Sequence, residues 1–466
     1  MIEILTKELA SAVDGELLGS GEVSINGSVE TDSRLCGQGS LFVAKPGEVT
    51  DGHNFITSAI QNGAQAVIVE RFQEDLQIPQ IKVNDSIVAL GLLAKYVLEK
   101  VREQSEIKVI GITGSNGKTT TKNMLAAILS AAGETIAPIE SYNNEVGAPY
   151  SILQIGFKTK YLVVELGAGG IGSIDYLTKI CKPDIGVVLK VGLAHVGEFG
   201  GIETTAKIKS ELASGLDADG ILILNADDGY VAAMADLSLA RKVWFGTSND
   251  SGYIASEQSL SIDGTRFNLH WIDQSVSQVK LQIIGEHHVM NALAAAAVAD
   301  QLGISHTDIV SALESMPMAE RWRMQVLQRA DGVTIINDAY NASPDSTKAA
   351  LQTLAQLGKG GRRTIAILGE MAELGFASRE QHDTIGRIVV RLNIDQLIVV
   401  GQAAKLIHMG AEQEGSWAGE SKFFDSIDEA FDHVRGMLVA GDLVLVKSSK
   451  SANLRHLGDK LMEVSS

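Results

Sequence analysis

Thr113-Gly114-Ser115-Asn116-Gly117-Lys118-Thr119-Thr120 is the stretch on which the fold turns. Before it runs a β-branched segment, Ile107-Lys108-Val109-Ile110-Gly111-Ile112. After it Met124, Leu125, Ile128 and Leu129 recur at helix spacing. Strand, glycine-rich turn and helix form the setting in which backbone N–H groups close around phosphate oxygens, helped by the partial positive charge of the helix N-terminus. Lys118 is placed to reach β- and γ-phosphates, and the Thr119 hydroxyl to touch Mg²⁺. The spacing departs from the generic phosphate loop, because Ile112 stands where its first glycine would fall and Gly111 and Gly114 flank that position. A bare glycine-rich turn reads equally well as a tight connection. The ending Gly117-Lys118-Thr119-Thr120 tips the reading to a nucleotide site built from Gly114, Ser115, Asn116, Gly117, Lys118, Thr119 and Thr120.

At 466 residues the chain has room for roughly three domains. Hydrophobic residues at 45% supply buried cores, while 47 glycines and 5% aromatics suit α/β layers joined by many turns. Lys and Arg number 39 against 57 Asp and Glu, a net charge of −18 whose field repels nucleic acid. An anionic substrate must then be met by local cations, loop amides or metal ions. Cys36 and Cys181 lie far apart, without metal-ligand spacing, and read as reduced thiols. The start Met1-Ile2-Glu3-Ile4-Leu5-Thr6-Lys7-Glu8 lacks the pattern of a signal peptide, and no apolar run nears the ~18–20 residues that cross a bilayer. The expectation is a soluble cytoplasmic protein, monomeric, with small-molecule substrates, no nucleic-acid partner and no membrane insertion.

Residues 1–106 read as a small α/β domain, with strands at Leu41–Ala44 and Ala66–Val69 and a helix from Val88 to Val101. Two polar clusters, Thr31-Asp32-Ser33-Arg34 and Lys45-Pro46-Gly47-Glu48 with Asp51-Gly52-His53, read as loops. Residues 107–317 alternate strand and helix, the mark of a mainly parallel sheet. Tyr161–Glu165 and Ile185–Leu189 are strands of the buried type. Ligands collect at the C-terminal ends of such strands, so Glu165 and His195 are expected to share a crevice with Lys118. Lys207 and Lys209 lie on a helix from Glu203 to Leu212 and read, on charge alone, as a solvated face. Gly285-Glu286-His287-His288-Val289-Met290-Asn291 precedes an alanine-rich helix beginning at Ala292. The adjacent pair His287 and His288 lacks the same-face spacing of metal ligands. A boundary falls at Pro317, near Glu320-Arg321-Trp322-Arg323. Residues 318–466 form a second doubly wound domain, with strands at Val333–Asn337, Thr364–Leu368, Gln396–Val400 and Leu443–Val446 and no phosphate loop of its own.

Gly111 to Thr120, Asn143-Asn144-Glu145-Val146-Gly147, Asp338-Ala339-Tyr340-Asn341-Ala342-Ser343-Pro344, and Glu370-Met371-Ala372-Glu373-Leu374-Gly375 with His382 together resemble the Mur ligases. These are ATP-dependent amide-forming enzymes of peptidoglycan precursor synthesis. The phosphate loop is shared across that superfamily, folylpolyglutamate synthases included. The other motifs look like the member that adds D-alanyl-D-alanine to UDP-N-acetylmuramoyl-tripeptide. A sibling ligase adding the third amino acid, or a folylpolyglutamate synthase-like ligase, is the alternative. The resemblance implies a three-domain α/β architecture: a UDP-sugar-binding domain, a central ATP-binding parallel sheet, and a Rossmann-like C-terminal domain that takes the incoming dipeptide.

It further implies that residues Gly114 to Thr120 hold ATP phosphates, and that Asn291 lies by the adenine while Arg321 and Asp338 reach the nucleotide. Thr119, Glu165, His195 and Lys209 are implied Mg²⁺ ligands, Lys209 as a carbamate and Lys207 in its place if the register shifts. Lys118, His195 and Lys209 are the implied catalytic set. Ser33, Arg34, Asn143, Asn144, Asn341, Lys447 and Ser449 are the implied substrate contacts. The sequence departs from the family's common pattern at His288 and Ser343, both frequently Asn, and at Lys45, one place early.

Overall fold

The computed structural model describes residues 1–47, 50–138, 141–193, 196–248, 252–316, 321–415 and 420–463. The expected boundary at Pro317 and the expected ligand His195 lie outside the described residues.

Strand Lys108–Thr113 is buried from Val109 onward and lies between strands Ile185–Val188 and Tyr161–Glu165 in a nine-stranded sheet. Both neighbours run parallel to it, with Gly111 opposite Val164 on one side and Gly186 on the other. Parallel strands need crossovers, which helices Lys118–Ala132, Ser173–Cys181 and Ile202–Ser214 supply. Ile221–Asn225, Arg241–Gly246 and Tyr253–Ser261 extend the parallel order. The chain then reverses, and Gly264–His270 and Val276–Leu281 finish that edge as an antiparallel meander. Sequence reading passes over this edge because exposed Arg266 and Lys280 alternate with buried Phe267 and Leu281, the pattern of a sheet wet on one face.

Helices Lys118–Ala132 and His287–Gln301 cover one face of the sheet, burying Met124, Leu125, Ile128 and Leu129 against the alanines. The second of these helices begins at His287, not at Ala292. Gly285, at φ +120°, turns the chain, and His288, Val289 and Asn291 are already buried in the first turns. Propensity marks the alanines as the helix, whereas tertiary burial winds the preceding turn.

The other face carries Val109, Leu162 and Val164 and continues without a break into the N-terminal core, where helix Ser86–Arg102 adds Leu90, Leu93 and Val97. Asp85 caps that helix by accepting the Ile87 and Val88 N–H groups, which starts it ahead of Val88. A five-stranded sheet, ordered Glu16–Leu18, Gln80–Lys82, Ala64–Val69, Ser40–Val43, Val29–Glu30, backs this core.

The third sheet has six strands, ordered Gln325–Gln328, Thr334–Asn337, Leu443–Lys447, Thr364–Leu368, Gln396–Val400, Ser421–Phe424. All pairs are parallel except the edge strand Gln325–Gln328. Asp338 and Lys447, at the carboxyl ends of two of its strands, line the same crevice as the loop after Thr113 and the end of Tyr161–Glu165. Among the described residues no helix is long and apolar enough to cross a membrane.

Candidate active site

Gly114 and Gly117 hold positive φ, +154° and +89°. A Cβ on Gly117 would sit 2.3 Å from the Asn291 side-chain oxygen, so only glycine lets the loop pass there. Ser115 N–H donates to the Lys190 carbonyl at 2.8 Å, and the Ser115 hydroxyl bonds Gly192 through both its N–H and its carbonyl. Lys118 Nζ folds back to the Gly114 carbonyl at 2.7 Å.

Glu165 closes the back of the crevice with no exposed surface. Thr119 Oγ1 donates to Oε2 at 3.4 Å, Lys122 Nζ stands 3.9 Å from Oε1, and Oε1 accepts no hydrogen bond. Burial pushes the Glu165 carboxyl up from its ordinary range, while Lys118, Lys122 and Arg323 pull it back. Burial also draws the Lys118 ammonium down, opposed by Glu165.

Asp338 faces this loop from the third sheet. Its Oδ2 meets Lys447 Nζ at 2.5 Å, and its Oδ1 accepts the Met324 N–H at 2.9 Å. Lys447 also donates to the Asn341 carbonyl at 3.1 Å. The Arg323 guanidinium lies 4.0 Å above the Tyr340 ring and reaches Ser141 Oγ at 3.4 Å.

A crevice of about 280 Å³ therefore gathers Ser115, Asn116, Gly117, Lys118, Thr119, Thr120, Asn143, Glu165, Asn291, Asp338, Asn341 and Lys447. Gly114 sits behind it through the Lys118 bond. Asn144 instead caps helix Gly147–Ile152, accepting the Gly147 N–H at 2.8 Å. Ser449 is buried beside the Glu370 loop, accepting through its hydroxyl or donating to Ser451 at 3.0 Å. Ser33 and Arg34 lie in a single 3-10 turn, Ser33–Leu35, after the edge strand Val29–Glu30 of the N-terminal sheet, where Asp32 holds the exposed Arg34 side chain. His382 Nε2 accepts the Met371 N–H at 3.0 Å and its Nδ1 bonds the Ser378 carbonyl, which fixes the loop after strand Thr364–Leu368.

Arg321 is the sequence-expected nucleotide contact that the fold draws elsewhere. It pairs with Asp459 at 2.8 Å and lies 4.5 Å over the Trp322 ring, whose N–H also reaches Asp459. Trp322 and Met324 both hold positive φ, so the chain zigzags and Arg323, not Arg321, enters the crevice. No local pattern in Arg321-Trp322-Arg323 distinguishes the two arginines. Ser141 and Tyr340 also line the crevice, and no local signal in the sequence marks either as a contact.

The two lysines on helix Ile202–Ser214 separate cleanly. Lys207 is exposed, whereas Lys209 is 3% exposed. Burial, reinforced by the charge of Lys118, lowers the Lys209 ammonium well below the ordinary lysine range. The solvated-face reading holds for Lys207 and fails for Lys209, because a helix places residues two apart on different faces.

A second cavity of about 720 Å³ adjoins the first and shares Asn116, Gly117, His287 and Asn291 with it. Tyr230 and Asp228 line one wall; Lys348 and Gln352 of helix Pro344–Gly358 line another.

Three sequence profiles match: the Mur ligase family catalytic domain over residues 27–97, the Mur ligase middle domain over 112–299, and the Mur ligase glutamate ligase domain over 322–450. The chain is 40% identical to the UDP-N-acetylmuramoyl-tripeptide--D-alanyl-D-alanine ligase of Mycobacterium tuberculosis, across 99% of this chain and 98% of that one. The enzyme of the same name from Escherichia coli is 33% identical, across 99% of each. A crystal structure of MurF from Acinetobacter baumannii is 34% identical and superposes over 99% of both chains with a TM-score of 0.90. A MurF ligase from Thermotoga maritima in complex with ADP is 26% identical over 94% of this chain and 97% of that one, with a TM-score of 0.81.

The Lys209 amine has a direct consequence for stability. Its pKa is lower folded than unfolded, so below about pH 10 the unfolded chain binds more protons and burial of the amine is a cost that fades as pH rises. Lys209→Met should raise the unfolding midpoint at pH 7 and raise it less at pH 10, in carbonate-free buffer. A shift independent of pH would mean that the amine is hydrated.

Proposed function

Because the chain belongs to the Mur ligase family, we propose that it joins D-alanyl-D-alanine to UDP-N-acetylmuramoyl-tripeptide. ATP is consumed, ADP and phosphate are released, and the UDP-MurNAc-pentapeptide precursor of peptidoglycan is formed. The relatives named for this reaction match along nearly the full chain. The observation that carries the reading is the single crevice in which Lys118 and Glu165 of one sheet face Asp338, Lys447 and Arg323 of another.

A carboxylate repels nucleophiles and has no leaving group. Its oxygen attacks the γ-phosphorus of ATP, ADP departs, and an acyl phosphate results. The dipeptide amine, having given up its proton, then attacks the acyl carbon, the new C–N bond forms and phosphate leaves. In this reading the loop amides of Gly114 to Thr120 and Lys118 hold the phosphates in line, and Arg323 meets charge on the far side. The larger cavity takes the nucleoside, with Asn291 at the junction. Asp338 and Lys447 are already paired, so they act as one rigid element beside Asn341, oriented toward the dipeptide. Ser33 and Arg34 of residues 1–106 grip the UDP-sugar, residues 107–317 bind ATP, and residues 318–466 deliver the amine. Joining of the two sheets around the crevice excludes water from the acyl phosphate.

The donor set suits a hard cation. Glu165 Oε1 is a buried oxygen without a hydrogen-bond partner, and the Thr119 hydroxyl stands beside the other carboxylate oxygen, Oε2. We assign Glu165, Thr119 and a Lys209 carbamate to Mg²⁺, together with His195, which lies outside the described residues. When bound, Mg²⁺ would neutralise phosphate charge. A neutral Lys209 amine is the form that takes up CO₂, and its depressed pKa supports that assignment.

Purified protein should release ADP only when ATP, UDP-MurNAc-tripeptide and D-Ala-D-Ala are all present, followed by a coupled assay. ADP release indifferent to the dipeptide would reject the ligase reading. Lys118→Ala should lower kcat by about a thousandfold with an unchanged circular dichroism spectrum. Lys209→Ala should recover part of its lost activity in acetate, read as a rate that climbs with acetate concentration.

A further inference from the structure

The segment leaving strand Ile185–Val188 is held from both sides of the crevice. From the central sheet, Ser115 binds Lys190 and Gly192, Asp228 Oδ2 accepts the Val191 N–H at 2.9 Å, and Asn225 Nδ2 donates to the Leu189 carbonyl at 2.8 Å. From the other side comes Asp345, in the first turn of helix Pro344–Gly358. Its Oδ2 accepts the Leu193 N–H at 3.0 Å, and its Oδ1 lies 3.7 Å from Lys190 Nζ. A Cβ on Gly192 would stand 2.4 Å from Asp345 Oδ2, so the carboxylate seats on bare backbone. Two residues earlier, the Ser343 hydroxyl that caps this helix also donates to Asn116 Oδ1 of the phosphate loop at 3.3 Å. Leu193 packs against the core of the third sheet.

These contacts form a relay. Asp345 fixes Lys190 to Leu193, those residues fix Ser115, and Ser115 is part of the loop that closes on phosphate. Building on the ligase reading, we propose that Asp345 is a positioning residue through which seating of the C-terminal sheet shapes the phosphate loop. The loop then grips ATP fully only when the sheet that delivers the amine is in place. Such coupling protects an acyl phosphate, since an activated acid made in an open crevice is lost to water. The geometry favours a carboxylate there: a helix N-terminus, a backbone N–H and an ammonium all point at it.

The test uses the full chain with Asp345→Ala, Asp345→Asn and Lys190→Met. Asp345→Ala removes both contacts, whereas Asp345→Asn keeps an oxygen for the Leu193 N–H and loses the charge. We expect kcat/KM for ATP to fall about ten- to a hundredfold in Asp345→Ala, the scale of a displaced positioning contact, and less in Asp345→Asn. Amide exchange of residues 189–193 should quicken in both variants, with exchange in the N-terminal sheet unchanged. The double variant Lys190→Met with Asp345→Asn should lose no more than the worse single one, because the two act as a pair. Wild-type kinetics with unaltered exchange at Leu193, or strictly additive losses, would overturn the proposal. Should Asp345→Ala not fold, Asp345→Asn and Lys190→Met still decide it. Exchange is read without turnover, so an inactive wild-type protein would reject the ligase reading while leaving this contact to be judged by its own measurement.

Discussion

Glu165 is a carboxyl group with no exposed surface, and the architecture follows from that constraint. An ion at the buried end of a strand is costly unless cations and donors reach it. Here they arrive from two sides: Lys118 and Lys122 from the first turns of helix Lys118–Ala132, and Arg323 from the segment just ahead of strand Gln325–Gln328. The arrangement places a knot of positive charge inside a chain of net charge −18. In the proposed ligase an anionic nucleotide would be repelled by the surface and attracted by the crevice, so local geometry rather than the overall field would set its binding.

Two parallel sheets aimed carboxyl end to carboxyl end make this economical. Each contributes side chains from strand termini, which the strands hold rigidly while the loops beyond them are shaped to the ligand. The Asp338–Lys447 pair illustrates the benefit. Lys447 is buried, Asp338 is partly buried, and each has a further backbone partner, so the pair enters the crevice already oriented.

Sequence reading reached the phosphate loop and Glu165 through local chemistry: glycines that permit a turn, a lysine beside them, a carboxylate ending an apolar run; Asn143, Asn291, Asp338, Asn341 and Lys447, which also line the crevice, are expected only from the resemblance to the Mur ligases. It stopped where tertiary contacts choose. Arg321 and Arg323 differ in position only because Trp322 and Met324 adopt left-handed backbone, and because Asp459, from a helix more than a hundred residues later in the chain, captures one of them. Lys207 and Lys209 look alike in composition, and only helix phase against the sheet separates them. The alanine-rich helix gains its first turn from burial of His288 and Asn291, a gain that propensity does not report. The antiparallel edge from Tyr253 to Leu281 shows the converse, with half-polar strands that carry a weak apolar signal.

The apolar interior is partitioned unevenly. The N-terminal sheet and one face of the central sheet share a continuous seam, from Ile4 and Leu93 through Val109 to Leu224, whereas among the described residues the C-terminal sheet takes only Ile284, with Leu193, Leu260 and Ile262 packed alongside, from the central part. Three recognisable segments thus amount to two mechanical blocks. A chimera that borrows its last third from a relative would have to match a set of polar handholds and a few apolar contacts around Ile284. One that borrows its first third would have to recut a greasy joint residue by residue, which makes the front of the molecule the harder part to exchange.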